Sequence, residues 1–284
     1  MRLLILGGSG MLGHQLWRGL HAQHDTWVTL RRPATEFAAH NLFDKAKAIQ
    51  FDDITDDTAL ERALDQAKPE AVINCVGIIK QRDDASDEAL TLRVNAEFPH
   101  RLAKRCGEAG ARLIHFSTDC IFAGTKGNYT ESDPSDAADL YGQSKHQGEV
   151  TDTHSLTLRT SVIGHELGTN LALLDWFLSQ RGQSISGFTK AIYSGFTTLE
   201  MARIVDRILT QHPELSGVWH VASAPISKFD LLKICQIKLG WEGVIEPNNH
   251  FVCDRSLNAD RFNKATGYTP PSWEAMISEL AHQS

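Results

Sequence analysis

Arg2-Leu3-Leu4-Ile5-Leu6-Gly7-Gly8-Ser9-Gly10-Met11-Leu12-Gly13 is the stretch on which the reading of the fold turns. Residues 2–6 form a short continuous apolar run, the pattern of a strand buried on both faces of a parallel sheet. Glycines follow at once, and Leu16, Trp17 and Leu20 then recur at helical spacing. Strand, glycine turn and helix in that order is the context a dinucleotide fingerprint requires. The glycines permit a tight turn and let backbone approach a pyrophosphate, which then rests on the helix N-terminus. Two registers fit, Gly8-x-Gly10-x-x-Gly13 and Gly7-x-x-Gly10-x-x-Gly13.

Working outward, Trp27-Val28-Thr29-Leu30 reads as a second strand ending in Arg31-Arg32. An acidic residue there would hold the ribose 2′-hydroxyl of NAD, whereas arginine accommodates the 2′-phosphate of NADP. With no acid until Glu36, the pair favours NADP(H) and leaves NAD(H) as the alternative. Residues 34–48 predict a loop with a short helix, and 49–53 a third strand. Asp56 or Asp57 caps a helix carrying Leu60, Ala63 and Leu64. Residues 71–77 read as a fourth strand, closing on a glycine where a cofactor passes. A long amphipathic helix is expected over 86–109, kinked or split by Pro99. A fifth strand (112–116) runs into Ser117-Thr118-Asp119, followed by a Gly-, Asp- and Pro-rich loop (123–139), the Tyr141 helix and a sixth strand (156–159). Further on come a helix over 170–181, a loop over 183–197, a helix over 199–209 and a seventh strand at 218–221.

Strands alternating with helices in this way predict an α/β protein with a doubly wound parallel sheet, a Rossmann fold, plus a smaller mixed C-terminal lobe. The expected division is a dinucleotide-binding domain at 1–164, rejoined by 195–222, and a substrate-binding lobe at 165–194 and 223–284. Thr118 falls at the carboxyl end of a strand, where open α/β sheets place their ligands. Tyr141 and Lys145 stand four apart and so share a helix face. A nearby ammonium favours the phenolate, and a tyrosine so tuned exchanges a proton with a substrate oxygen near neutral pH.

The totals narrow the function classes. A chain of 284 residues with 42% hydrophobic and 22% charged residues has the composition of a globular protein with a large core. A formal charge of −7 and no dense Lys/Arg run argue against a nucleic-acid partner. The five cysteines (Cys75, Cys106, Cys120, Cys235, Cys253) include no Cys-x-x-Cys and are odd in number, which argues against a disulfide framework or a zinc site. The thirteen histidines form no ligand-spaced cluster, so no metal is expected. No signal peptide and no long apolar run are seen, so the expectation is a cytoplasmic protein without a membrane partner.

Taken together, Gly10-Met11-Leu12-Gly13, Val94-Asn95-Ala96, Ser117-Thr118-Asp119-Cys120-Ile121-Phe122-Ala123-Gly124, Tyr129-x-Glu131, Tyr141-Gly142-x-Ser144-Lys145-x-x-Gly148-Glu149 and Leu158-Arg159-Thr160-Ser161 resemble the extended short-chain dehydrogenase/reductase superfamily. The finer likeness is to dTDP-4-dehydrorhamnose reductase and related nucleotide-sugar 4-keto reductases, firm to about residue 165. The resemblance implies that Tyr141 protonates the 4-keto oxygen as the nicotinamide delivers hydride. It implies that Lys145 binds the nicotinamide ribose and lowers the Tyr141 pKa, and that Thr118 hydrogen-bonds the same keto oxygen. Gly7, Gly10 and Gly13, with the amides of Met11 and Leu12, would cradle the pyrophosphate. Arg31 and Arg32 would meet the 2′-phosphate, Asp53 and Ile54 the adenine, and Cys75, Val76 and Gly77 the passage to the nicotinamide. Asn95 and Ser117 complete the implied cofactor contacts, and Lys80, Asp119, His165 and Asn170 the implied substrate contacts. The partner is then a nucleotide sugar, in a route to surface polysaccharide; a homodimer is left open.

Departures from the family pattern matter too. Dehydratases of the superfamily carry Glu where this chain has Cys120. The rhamnose-forming reductases have a Trp where it has Val162, and an alanine-rich segment where it has Gly77-Ile78-Ile79-Lys80-Gln81. The first argues against a dehydratase; the others open the substrate to a UDP-linked N-acetyl-6-deoxyhexosulose. An epimerase that retains NAD and an NADP-binding regulatory subunit are the alternative readings.

Overall fold

The computed structural model describes residues 1–81 and 83–282. Its first six strands are β1 (Arg2–Leu6), β2 (Asp25–Leu30), β3 (Ala48–Gln50), β4 (Ala71–Asn74), β5 (Arg112–Thr118) and β6 (Ser155–Thr160). After β7 (Val162–Ile163), β8 (Ser184–Tyr193) and β9 (Phe196–Thr197), β10 (Gly217–His220) completes a seven-stranded sheet in the order β10-β6-β5-β4-β1-β2-β3. The pairs β1–β2, β1–β4, β2–β3 and β4–β5 are all parallel. This is the doubly wound α/β sheet that the alternating sequence predicts.

Side chains alternate across β1. Leu4 and Leu6 join one buried cluster with Leu60, Ala63 and Leu64 of α2 (Asp57–Ala67) and with Phe98 and Leu102 farther along the chain. Leu3 and Ile5 turn to the opposite face by the two-residue period of a strand. Helix α1 (Met11–Leu20) leaves the sheet through the glycine turn, and Asp56 caps α2 through the Thr58 N–H at 2.8 Å. The expected 86–109 helix is one helical run in three parts: α3 (Glu88–Leu92), a π-turn at Arg93–Glu97, and α4 (Phe98–Glu108). Pro99 has no N–H to give the carbonyl of Asn95, and the wider π-turn absorbs the lost bond without breaking the helix.

The chain folds into two compact units. The first comprises Met1–Ser117, Ser144–Leu158 and Ala202–Val218, and the second Thr118–Gln143, Arg159–Met201 and Trp219–Ser284. Helix α5 (Leu140–Gln147) begins in the second and ends in the first. The second unit also holds α6 (Leu173–Ser179), shorter than the 170–181 helix expected. After α7 (Thr198–Gln211) and β11 (Ile226–Ser227) come α8 (Lys228–Lys238) and β12 (Val244–Asp254).

A smaller mixed sheet, β11-β8-β12, lies in this unit, with β8 antiparallel to β11 and parallel to β12. The expectation of a loop over 183–197 is therefore corrected. Ser184–Tyr193 alternates buried and open positions along most of its length. Its serines and Gly187 mask that period in the sequence, and the place of a Gly187 side chain is taken by Phe229 of α8, whose Cδ2 would stand 2.7 Å from an added Cβ. Strand β3 is also shorter than expected, ending at Gln50 and leaving Phe51–Asp53 outside it.

Candidate functional site

In the first unit the fingerprint glycines have distinct jobs. Gly7 has φ +79°, open to glycine at little cost. A Cβ on Gly13 would lie 2.2 Å from the Gly7 carbonyl oxygen, and one on Gly8 would lie 1.9 Å from Val28 Cγ2. A side chain at Gly13 would push α1 off the turn, and one at Gly8 would run into β2. Gly10 is the N-cap of α1, which has no side-chain cap and no acidic residue in its first turn. The first N–H groups of a helix, here at Met11, Leu12 and Gly13, have no partner within it, and with the helix dipole they suit an anion. A dinucleotide pyrophosphate fits this cradle.

Arg31 and Arg32 are exposed just beyond β2. Arg32 is also tied to Glu36 at 3.2 Å and lies over the Phe37 ring. Asp53 is exposed and accepts from the Thr55 N–H and hydroxyl at 2.8 and 2.7 Å, which holds its carboxyl below the usual range. The Ile54 carbonyl accepts from Arg101 at 2.7 Å. Cys75, Val76 and Gly77 leave β4 half-buried, and burial pushes the Cys75 thiol pKa up.

Asn95 stands apart from the other implied cofactor contacts. It is fully buried, accepts from the Ile78 N–H at 2.9 Å, donates to the Ile78 carbonyl at 2.9 Å, and reaches Ser144 Oγ at 3.2 Å. Its amide is thus spent bracing the loop after Gly77. Gly148 fits against the same residue: a Cβ there would stand 1.9 Å from the Asn95 carbonyl oxygen. Ser117 donates to Glu149 at 2.7 Å. Lys145 is buried and donates to the Phe116 carbonyl at 2.6 Å; burial brings its pKa down to about 8, while Glu149 and Cys75 work the other way. Lys80 is exposed.

In the second unit Thr118, at the carboxyl end of β5, accepts from the Cys120 N–H and donates to Asp119 Oδ1, both at 3.1 Å. Its hydroxyl is hydrogen-bonded with that of Tyr141. Gly142 makes this approach possible, because a Cβ there would meet the Cys120 carbonyl oxygen at 2.2 Å. Asp139 accepts from the Gly142 N–H at 2.9 Å and so caps the start of α5. Burial, with Cys120, Asp119 and Asp139 nearby, pushes the Tyr141 pKa up, while the Thr118 bond pulls it down. Within this unit the balance is opposite in sign to the lowering implied for Lys145. Burial likewise pushes the Asp119 pKa up. His165 pairs with Asp175 at 2.8 Å, and Asn170 is exposed in the segment before α6.

Sequence reasoning passed over Arg255, whose Nη1 donates toward Cys120 Sγ at 3.5 Å. It also passed over His115, fully buried and 3.1 Å from the Asn74 side-chain amide, with its pKa held well below the usual value by burial. Neither carries a local spacing that would have marked it. Among the described residues no group of His, Cys, Asp and Glu could hold a metal ion, and no helix is long and apolar enough to cross a membrane.

Residues 1–249 match the family described as RmlD substrate binding domain. A dTDP-4-dehydrorhamnose reductase of Streptomyces griseus is 33% identical over 149 residues, 52% of this chain and 43% of that protein. The match thus spans less than half of that relative. A protein named probable dTDP-4,6-dihydroxy-2-methyloxan-3-one 4-ketoreductase, from Streptomyces antibioticus, is 30% identical over 232 residues, 79% of this chain and 72% of that one. Among solved structures, the dTDP-4-dehydrorhamnose reductase of Bacillus anthracis in complex with NADP shares the fold. Its TM-score is 0.80 at 22% identity, over 100% of this chain and 99% of that one.

Proposed function

The chain belongs to the RmlD substrate binding domain family, and from that premise we propose that it is an NADPH-dependent reductase of the 4-keto group of a nucleotide-linked deoxysugar. One observation carries the reading: the hydrogen-bonded pair Thr118 and Tyr141 at the carboxyl end of β5, with Lys145 one helical turn further along α5. The first unit is proposed to hold the cofactor, and the second to hold the sugar.

NADPH would supply a hydride to the sugar carbonyl carbon. The fingerprint glycines and the open N-terminus of α1 would hold its pyrophosphate, and Arg31 and Arg32 its 2′-phosphate. With substrate bound, the Thr118 hydroxyl would turn its single hydrogen from Asp119 to the keto oxygen and aim that oxygen toward Tyr141. As negative charge develops on that oxygen, the Tyr141 hydroxyl transfers its proton to it. The phenol enters each turnover protonated, as it would at its ordinary pKa; the upward push of burial opposes its acidity, and the Thr118 bond offsets part of that push. Lys145, braced by the Phe116 carbonyl, would grip the nicotinamide ribose and steady the phenolate left behind. The alkoxide thus leaves as an alcohol, and Tyr141 regains a proton before the next cycle. We further propose that such a product serves as a precursor of a surface polysaccharide.

The test is NADPH oxidation, followed at the nicotinamide absorbance, with a panel of dTDP-, UDP- and GDP-4-keto-6-deoxy sugars. Turnover with one of them, reduced about 100-fold or more in Tyr141→Phe, is the expected result. Silence across the panel while NADP(H) still binds refutes the reading and moves the weight to a regulatory NADP-binding subunit.

A further inference from the structure

The Ala123-Gly124 pair that follows the Thr118 turn takes no part in the proton transfer, yet its glycine is tightly constrained. Gly124 has φ +84°, and a Cβ there would lie 2.5 Å from Cys253 Sγ and 3.1 Å from Arg255 Cγ. The end of β12 is thereby brought flush against this loop, with the Asp254 N–H donating to the Gly124 carbonyl at 2.7 Å. What that approach delivers is Arg255. Its Nε donates to the Phe122 carbonyl at 2.6 Å and its Nη1 reaches Cys120 Sγ at 3.5 Å. The Cys120 N–H, in turn, sits on the hydroxyl of Thr118 at 3.1 Å.

A guanidinium carries five N–H donors in a fixed fork. Here Nη2 meets no acceptor among the described residues, although the side chain is half-buried. A group so placed gains most from an oxygen that accepts from the open side of the fork. Asp119 and Asp139 lie close enough to offset its charge, so the acceptor need not be an anion. In a 4-keto-6-deoxyhexose the carbonyl carbon has two neighbours. C5 bears the ring oxygen and a methyl, and C3 alone bears a hydroxyl.

We propose that Arg255 is a specificity-determining residue that donates to the hydroxyl on C3 of the sugar, next to the carbonyl held by Thr118 and Tyr141. The proposal rests on the keto-reductase reading above and deepens it, because it names the sugars that are taken: those with an oxygen substituent flanking the reacting carbon.

The experiment compares a nucleotide-linked 4-keto-6-deoxyhexose with its 3-deoxy counterpart, on the full chain and on Arg255→Met and Arg255→Lys. Arg255→Met is expected to lose about 10- to 100-fold in kcat/KM with the 3-hydroxy sugar. With the 3-deoxy sugar it should change less than about threefold, because the lost bond was never made. Arg255→Lys, a cation without the fork, should fall between the two. An equal loss on both sugars would mean that Arg255 merely braces the Phe122 loop, and overturns the proposal. Should the unaltered chain oxidise no NADPH with either sugar, the reductase reading has failed, and calorimetric binding of the two nucleotide sugars decides Arg255 separately. Discrimination lost in Arg255→Met upholds it; no discrimination, or no binding, overturns it.

Discussion

Replacing Lys145 by Met tests the electrostatics of the buried ammonium on α5. The residue is 6% exposed, and its ammonium donates to the Phe116 carbonyl. Burial lowers its pKa from 10.5 to about 8. Below pH 8 the lysine is protonated in both the folded and the unfolded chain, and the full cost of burying the charge is present. Between pH 8 and 10.5 the folded protein sheds the proton while the unfolded chain keeps it. Stability therefore rises with pH through that window, since the unfolded state binds more protons. At about 1.4 kcal/mol for each pH unit separating the two pKa values, the rise is about 3 kcal/mol. A methionine cannot titrate, so the stability of the unaltered protein minus that of Lys145→Met should grow by about 3 kcal/mol across the window. Urea unfolding at a series of pH values measures it, and the subtraction removes groups common to both proteins. A difference that stays flat to within about 0.5 kcal/mol, beyond the usual scatter of such extrapolations, would refute the buried-ammonium reasoning.

Two further outcomes are expected. In Gly148→Ala the added methyl meets a backbone carbonyl that cannot swing away, at 1.9 Å from Asn95 O; unfolding should show a loss of about 1–3 kcal/mol or more, and an unchanged melting temperature would contradict it. Removing both Arg31 and Arg32 as alanines should raise the KM for NADPH about tenfold or more while leaving that for NADH within about twofold; equal changes for the two cofactors in steady-state kinetics would count against 2′-phosphate recognition.

The parts of the molecule legible in the sequence are those in which the physics is local. The run Leu3–Leu6 and the glycines after it announce a strand and a turn because the neighbours that forbid side chains, Gly7 and Val28, belong to the same β-α-β unit. Gly142 and Gly148 are likewise read as a motif, although what each avoids, the Cys120 and Asn95 carbonyls, appears only in three dimensions. The illegible parts are non-local. Arg255 lies 135 residues from Cys120, at the end of a strand whose Pro247, Asn248 and Asn249 look like a turn and whose register shifts between Asn248 and Val252. Asn95 reads as a cofactor contact by its type, while its bonds to Ile78 and Ser144 appear only in three dimensions.

The alternation of the two units along the chain bears on how the protein can be made and cut. Each unit is assembled from three separate segments, so the backbone crosses between them five times. A ribosome must release residue 218 before the first unit has its last segment, and the second unit needs the segment that follows it, 219–284. The first unit cannot complete from residues 1–158 alone, and pairing of distant segments slows the search for the native state. A protease that nicks the exposed turn near Gly168 leaves two pieces, each of which still needs the other to complete both units.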